Sequence, residues 1–212
     1  MKTSLPLCLC ITLAGSILLQ RNCKATITYP KAPEGGGQIV AGHLDPQFLK
    51  FLGVSRVSDL TIAEPYRGYF VGLTNLASGH LLSAAKPGGW IYLLLRGTNA
   101  AGAMELMPDK SGTKLSFAGL YKSDFSNETR QAMRRAEHLP KVQAQRYELR
   151  RLDCPSILFV AVWLHAKSDD IIIPLPPTFG RWEAYHPYSE RQIFKLLTSE
   201  AEKRLKEPRA YD

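Results

Sequence analysis

The most hydrophobic stretch beyond the N-terminus is 157–165 (ILFVAVWLH). Its β-branched and aromatic residues predict a strand central in a sheet. Residues 90–95 (WIYLLL) are apolar at every position, which predicts a second interior strand covered on both faces. Further strand-like runs are 66–73 (YRGYFVGL) after Pro65, and 103–107 and 114–120 joined by the turn-rich PDKSG loop at 108–112. Another, 171–175, follows the central strand through the KSDD turn at 167–170. Residues 141–152, isolated between Pro140 and Asp153-Cys154-Pro155, read as one long strand, and 27–29 as a short edge strand.

Helical spacing replaces this pattern at a few places. Asp45 offers a side-chain acceptor just before Pro46, which has no N–H to lose, and Phe48, Leu49 and Leu52 supply an apolar face. With Gly53 suited to the left-handed residue beyond the end, a short helix is predicted at 46–52. Thr74 is read as capping a helical turn through Leu76 and Leu82. Ser126 is read as the N-cap of a helix reaching Leu139, with Thr129, Ala132, Met133 and Ala136 on one side and Arg130, Arg134 and Glu137 opposite, stopped by Pro140. Ser189 and Gln192 form a capping box ahead of Ile193, Leu196, Leu197, Ala201 and Leu205, an amphipathic helix ending before Pro208. Strands in consecutive runs with few helical crossovers predict the α+β class: an antiparallel, curved sheet of five to seven strands with helices mainly on one face. That element order suits a cystatin-like or nuclear-transport-factor-like arrangement, although no motif ties the chain to either. Residues 26–44, which include Gly35-Gly36-Gly37, read as a flexible lead-in, 45–207 as one domain and 208–212 as a tail.

The first 25 residues carry a separate signal. Lys2 precedes an uncharged apolar run at 5–19 (LPLCLCITLAGSILL), too short to cross a bilayer comfortably, and Cys23-Lys24-Ala25 sets small residues at −3 and −1 of a cleavage site. A signal peptide spanning 1–25 is therefore expected. Arg21 and Lys24 oppose export by placing positive charge beside the cleavage site, and the alternative is that the run is the first apolar element of the fold. Cleavage would remove Lys2, Arg21 and Lys24 and no acid, lowering the formal charge from +8 to +5, and would leave Cys154 as the only cysteine. A lone thiol provides no disulfide framework, so the bacterial periplasm or the secreted medium is the expected setting.

Composition narrows the classes. The chain of 212 residues is 45% hydrophobic and 22% charged, which excludes disorder as the main state. No uncharged apolar run of about 18 residues follows the leader, so a polytopic membrane protein is excluded as well. The phosphate-binding and dinucleotide glycine motifs, the GxSxG elbow, HExxH and CxxC are all absent. His43, His80, His138, His165 and His186 are too scattered for a zinc site. No metal and no cofactor is expected.

Two ligand-binding candidates remain. Trp163 and His165 alternate onto one face of the central strand with Ile157, Phe159 and Ala161. There they would give a cavity an aromatic wall with a polar handle; the plainer reading is a strand-end histidine in water. Phe179, Trp182, Tyr185 and Tyr188 belong to an aromatic loop (FGRWEAYHPYS) that suits either a contact surface or a cover over the end of the core. Cys154 and His165 lie too far apart along a hairpin for a catalytic pair, and Asp169-Asp170 reads as turn chemistry. Arg130, Arg134, Arg135, Arg146, Arg150 and Arg151 interleave with Glu128, Glu137, Glu148 and Asp153, a salt-bridged face for which nucleic acid is not an expected partner. The expected function is that of an exported, non-catalytic domain binding a protein, a glycan or a small apolar molecule. The alternatives are a hydrolase built around His165 and a structural envelope protein, held at the membrane only if the leader is uncleaved.

Overall fold

The computed structural model describes residues 26–206; the expected leader at 1–25 and tail at 208–212 lie outside the described residues. The chain lays down β1 (Ile27–Thr28), α1 (Gly36–Gly42), α2 (Pro46–Leu52), β2 (Thr61–Ile62), β3 (Tyr66–Phe70) and α3 (Leu73–Ala77). Three longer strands follow, β4 (Lys86–Arg96), β5 (Asn99–Pro108) and β6 (Leu115–Lys122), and then α4 (Ser123–Glu137) and α5 (Pro140–Ala144). The remainder is β7 (Tyr147–Cys154), β8 (Phe159–His165), β9 (Asp170–Pro174), β10 (Tyr188–Ser189) and α6 (Glu190–Lys206). All ten strands join one open sheet ordered β10-β9-β8-β7-β3-β4-β5-β6, with β1 also paired to β7 and β2 to β4.

The content is mixed α and β, as the pattern predicts, but the sheet itself is mixed rather than antiparallel and has more than seven strands. β3 and β1 both run parallel to β7. The hairpins β4-β5-β6 build outward from β3, so the chain reaches one edge of the sheet; α4 and α5 then carry it back to the other side of β3, a helical crossover of the kind that sets parallel neighbours.

The expectation of helices mainly on one face is corrected as well. Ile91 and Leu93 of β4 and Val162 and Leu164 of β8 meet Ala132, Met133 and Ala136 of α4 and Val142 of α5 on one face. On the other face, Leu152, Ala161 and Trp163 pack with Leu76 of α3 and with Ile193, Leu197 and Ala201 of α6. Beside them, Trp90, Tyr92 and Leu94 pack with Val40 of α1 and with Leu49 and Leu52 of α2. Strands that are apolar on both sides need cover on both sides, and the result is an uncurled sheet between two helical layers, not a sheet curved around one.

Local chemistry explains the boundaries. Asp45 accepts a hydrogen bond from the Phe48 N–H at 2.9 Å, Pro46 opens α2 and Gly53 closes it at φ 67°. Gln192 Oε1 accepts from the Ser189 N–H at 2.9 Å, the capping contact that starts α6. Elsewhere the elements shift. α4 begins at Ser123, and the Ser126 hydroxyl donates back to the Lys122 carbonyl. Pro140 opens α5, which takes 141–144 out of the long strand predicted at 141–152. The glycine run read as linker starts α1, and a Cβ on Gly36 would overlap the Tyr92 hydroxyl, so the helix lies against β4 only with bare backbone at that point.

Candidate functional site

Trp163 is 3% exposed, at the centre of the face that carries α3 and α6. Its indole Nε1 donates to Asp170 Oδ1 at 2.7 Å, and its ring meets Tyr69 edge-on at 5.1 Å. His165, with 36% of its side chain exposed, places Nδ1 2.8 Å from the same Asp170 oxygen. Trp163 and His165 therefore share one carboxylate. The four loop residues are dispersed. Phe179 is 62% exposed, Trp182 is buried edge-on against Phe159, and the Tyr188 hydroxyl accepts from the Glu183 N–H. Tyr185 reaches the opposite layer, where its hydroxyl donates to Gln131 Oε1 of α4 at 3.1 Å and the Arg135 guanidinium lies over its ring. The loop thus wraps one edge of the sheet, and Trp182 and Tyr185 fill its two sides.

Among the described residues no hydroxyl or thiol hydrogen-bonds to His165. Cys154 pairs with Phe159 and His165 with Glu148, at opposite ends of the β7–β8 hairpin. Burial pushes the Cys154 thiol up to about 12.

The register brings further residues to the Trp163 face. Trp90, Arg67, Arg150 and Trp163 are successive partners across β4, β3, β7 and β8, and Glu148, His165 and Asp170 form the next row. Two like charges on neighbouring strands repel, yet the two arginines are treated differently. Arg150 is held: its Nε donates to Glu148 Oε1 at 2.6 Å, and its guanidinium lies over the Tyr69 and Trp163 rings at 4.9 and 4.7 Å. Arg67 stands over the Trp90 ring at 5.2 Å, but its buried Nε has no acceptor, and among the described residues no carboxylate pairs with it. Arg67 and Trp90 line an open cleft of about 440 Å³, together with Lys31, Ala32, Pro33 and Glu34 of the lead-in and Gly112 and Thr113 of the β5–β6 loop.

Arg151 shows the contrast. One residue on from Arg150, it points to the opposite face, where its Nε is 2.9 Å from Asp153 Oδ2 and its guanidinium covers the Phe125 ring at 4.5 Å. Nearby the Tyr121 hydroxyl donates to Glu105. Burial, opposed by Arg151, raises the Asp153 carboxyl above the ordinary range; burial and the Glu105 bond push Tyr121 up to about 12. This cluster is closed under the α4 layer and internally paired. Of the basic residues read along the sequence as one face, Arg150 and Arg151 are thus set on opposite faces of the sheet by strand alternation.

The chain matches no family model, no curated protein and no solved structure. Among the described residues no helix is long and apolar enough to cross a membrane, and no three His, Cys, Asp or Glu side chains converge as a metal site. Sequence reasoning passed over Arg67, Trp90 and Lys31, and it read Asp170 as turn chemistry when Asp170 is the anchor for Trp163 and His165. The available signal was the 66–70 strand, where alternation sets Arg67 and Tyr69 on one face.

Proposed function

We propose that this protein is an exported, non-catalytic binding domain that takes a small anionic ligand in the cleft floored by Arg67 and Trp90. The Arg67 guanidinium carries this reading: it has five donors, belongs to a partly buried residue, and among the described residues its Nε has no acceptor and no carboxylate pairs with it. The open cleft beside it, about 440 Å³, is within the range of small-molecule sites. Trp163, His165 and Asp170 support the same sheet face, interlocked by their hydrogen bonds beside Arg150.

Thermal denaturation across a panel of small organic acids, phosphates and neutral analogues tests the proposal. At least one anion is expected to raise the melting temperature of the wild type and to lose that effect in Arg67→Met. Stabilisation that survives in Arg67→Met would put the site elsewhere, and a wild type indifferent to every anion would reject it.

A further inference from the structure

We infer that the anionic group received in this cleft is the carboxylate of a small organic acid, an inference that rests on the cleft being the ligand site. The charge count points there first. Arg150 is neutralised by Glu148 at 2.6 Å, Lys31 and Glu34 bring opposite charges to the rim, and Asp170 is turned to the Trp163 and His165 nitrogens. Arg67 is left as the one surplus charge among the residues lining the cleft. A monoanion balances it, whereas a phosphate monoester, at about −1.5 to −2 near neutral pH, would leave negative charge partly withdrawn from water. Shape agrees with charge, because the planar guanidinium fork matches a planar carboxylate through two parallel N–H bonds. Ala32 and Pro33 add an apolar wall for the body of such an acid.

The test is an NMR titration of the full chain at constant ionic strength, reading the Arg67 Nε–Hε and Trp90 indole N–H signals. The probes are acetate, methyl phosphate and the blocked peptide N-acetyl-glutamate amide. Acetate is expected to shift both signals saturably and to bind at least about five-fold more tightly than methyl phosphate. In Arg67→Lys, which keeps the charge and loses the fork, acetate binding read at Trp90 is expected to weaken at least about ten-fold. Methyl phosphate binding as tightly as acetate would overturn the carboxylate and leave the cleft standing. The blocked peptide binding more than about ten-fold tighter than acetate would overturn the free acid as source. No saturable shift from any probe would overturn both the inference and the cleft.

Discussion

Replacing Arg151 by methionine is expected to remove about 3–5 kcal/mol of stability, because it breaks a buried ion pair by deleting one partner. Asp153 is 4% exposed, and with the guanidinium gone its carboxylate faces only the further negative charge of Glu105. The loss depends on pH. Burial holds the Asp153 pKa above 3.8 even with Arg151 present. A carboxyl raised on folding contributes stability that is fully present below its unfolded value and is lost as pH rises through its folded value. Removing Arg151 raises that folded value further, so the deficit against wild type is expected to be smaller at pH 4 than at pH 7. Urea denaturation at the two pH values measures it. The double variant Arg151→Met/Asp153→Leu, which removes the stranded charge, is expected to recover most of the loss. Equal deficits at both pH values with no recovery in the double variant would show that Arg151 acts through its packing on Phe125.

Gly102→Ala is expected to cost about 1–3 kcal/mol although it adds a single methyl group. Gly102 pairs with Lys122 across β5 and β6, and the new carbon would lie 2.5 Å from Leu52 Cδ2 and 2.6 Å from the Tyr121 carbonyl oxygen. The leucine end can swing aside. The carbonyl belongs to the β6 backbone and cannot move without disturbing the ladder. Gly37 in α1 provides the contrast: nothing lies within 4 Å of an added Cβ, and alanine there is expected to be neutral or stabilising by up to about 1 kcal/mol. Thermal denaturation of the two variants checks the pair. A Gly102→Ala protein as stable as wild type would mean that the Tyr121 carbonyl gives way to the added methyl group without disturbing the β5–β6 ladder.

Elements whose chemistry lies within one turn were legible in the sequence. Asp45, Pro46 and Gly53 define α2 among themselves, and Ser189 with Gln192 starts α6, without reference to any distant residue. The unbroken apolar runs of β4 and β8 were equally plain, and their two-sided character already implied two helical layers. The consecutive strand runs pointed to one layer instead, since they hide a crossover that returns β7 beside β3. Pro140 was ambiguous because proline suits a helix stop and a first helical turn equally well. The site was harder to see. Trp163 and His165 were on one face by alternation, but Asp170 acquires its role only when β9 pairs with β8. Arg67, an arginine in an aromatic strand, takes its meaning from Trp90 on one neighbour and Arg150 on the other. That parallel pairing joins segments far apart in the chain, and no local pattern encodes it.

Arg151 is held by the fold, whereas Arg67 is proposed to serve a ligand, and the unfolding free energy of Arg67→Met measured without any ligand tests that distinction most directly. Methionine keeps an apolar stem against Trp90 while removing a buried donor that has no partner among the described residues. The lost cation–π contact, about 0.5–1 kcal/mol, is offset by relief of that unmade bond. The Arg67→Met protein is expected to match the wild type within about 0.5 kcal/mol or to exceed it, as substitutions at ligand-reserved positions commonly do. A loss above about 1.5 kcal/mol would mark Arg67 as a structural residue and contradict its assignment to a ligand.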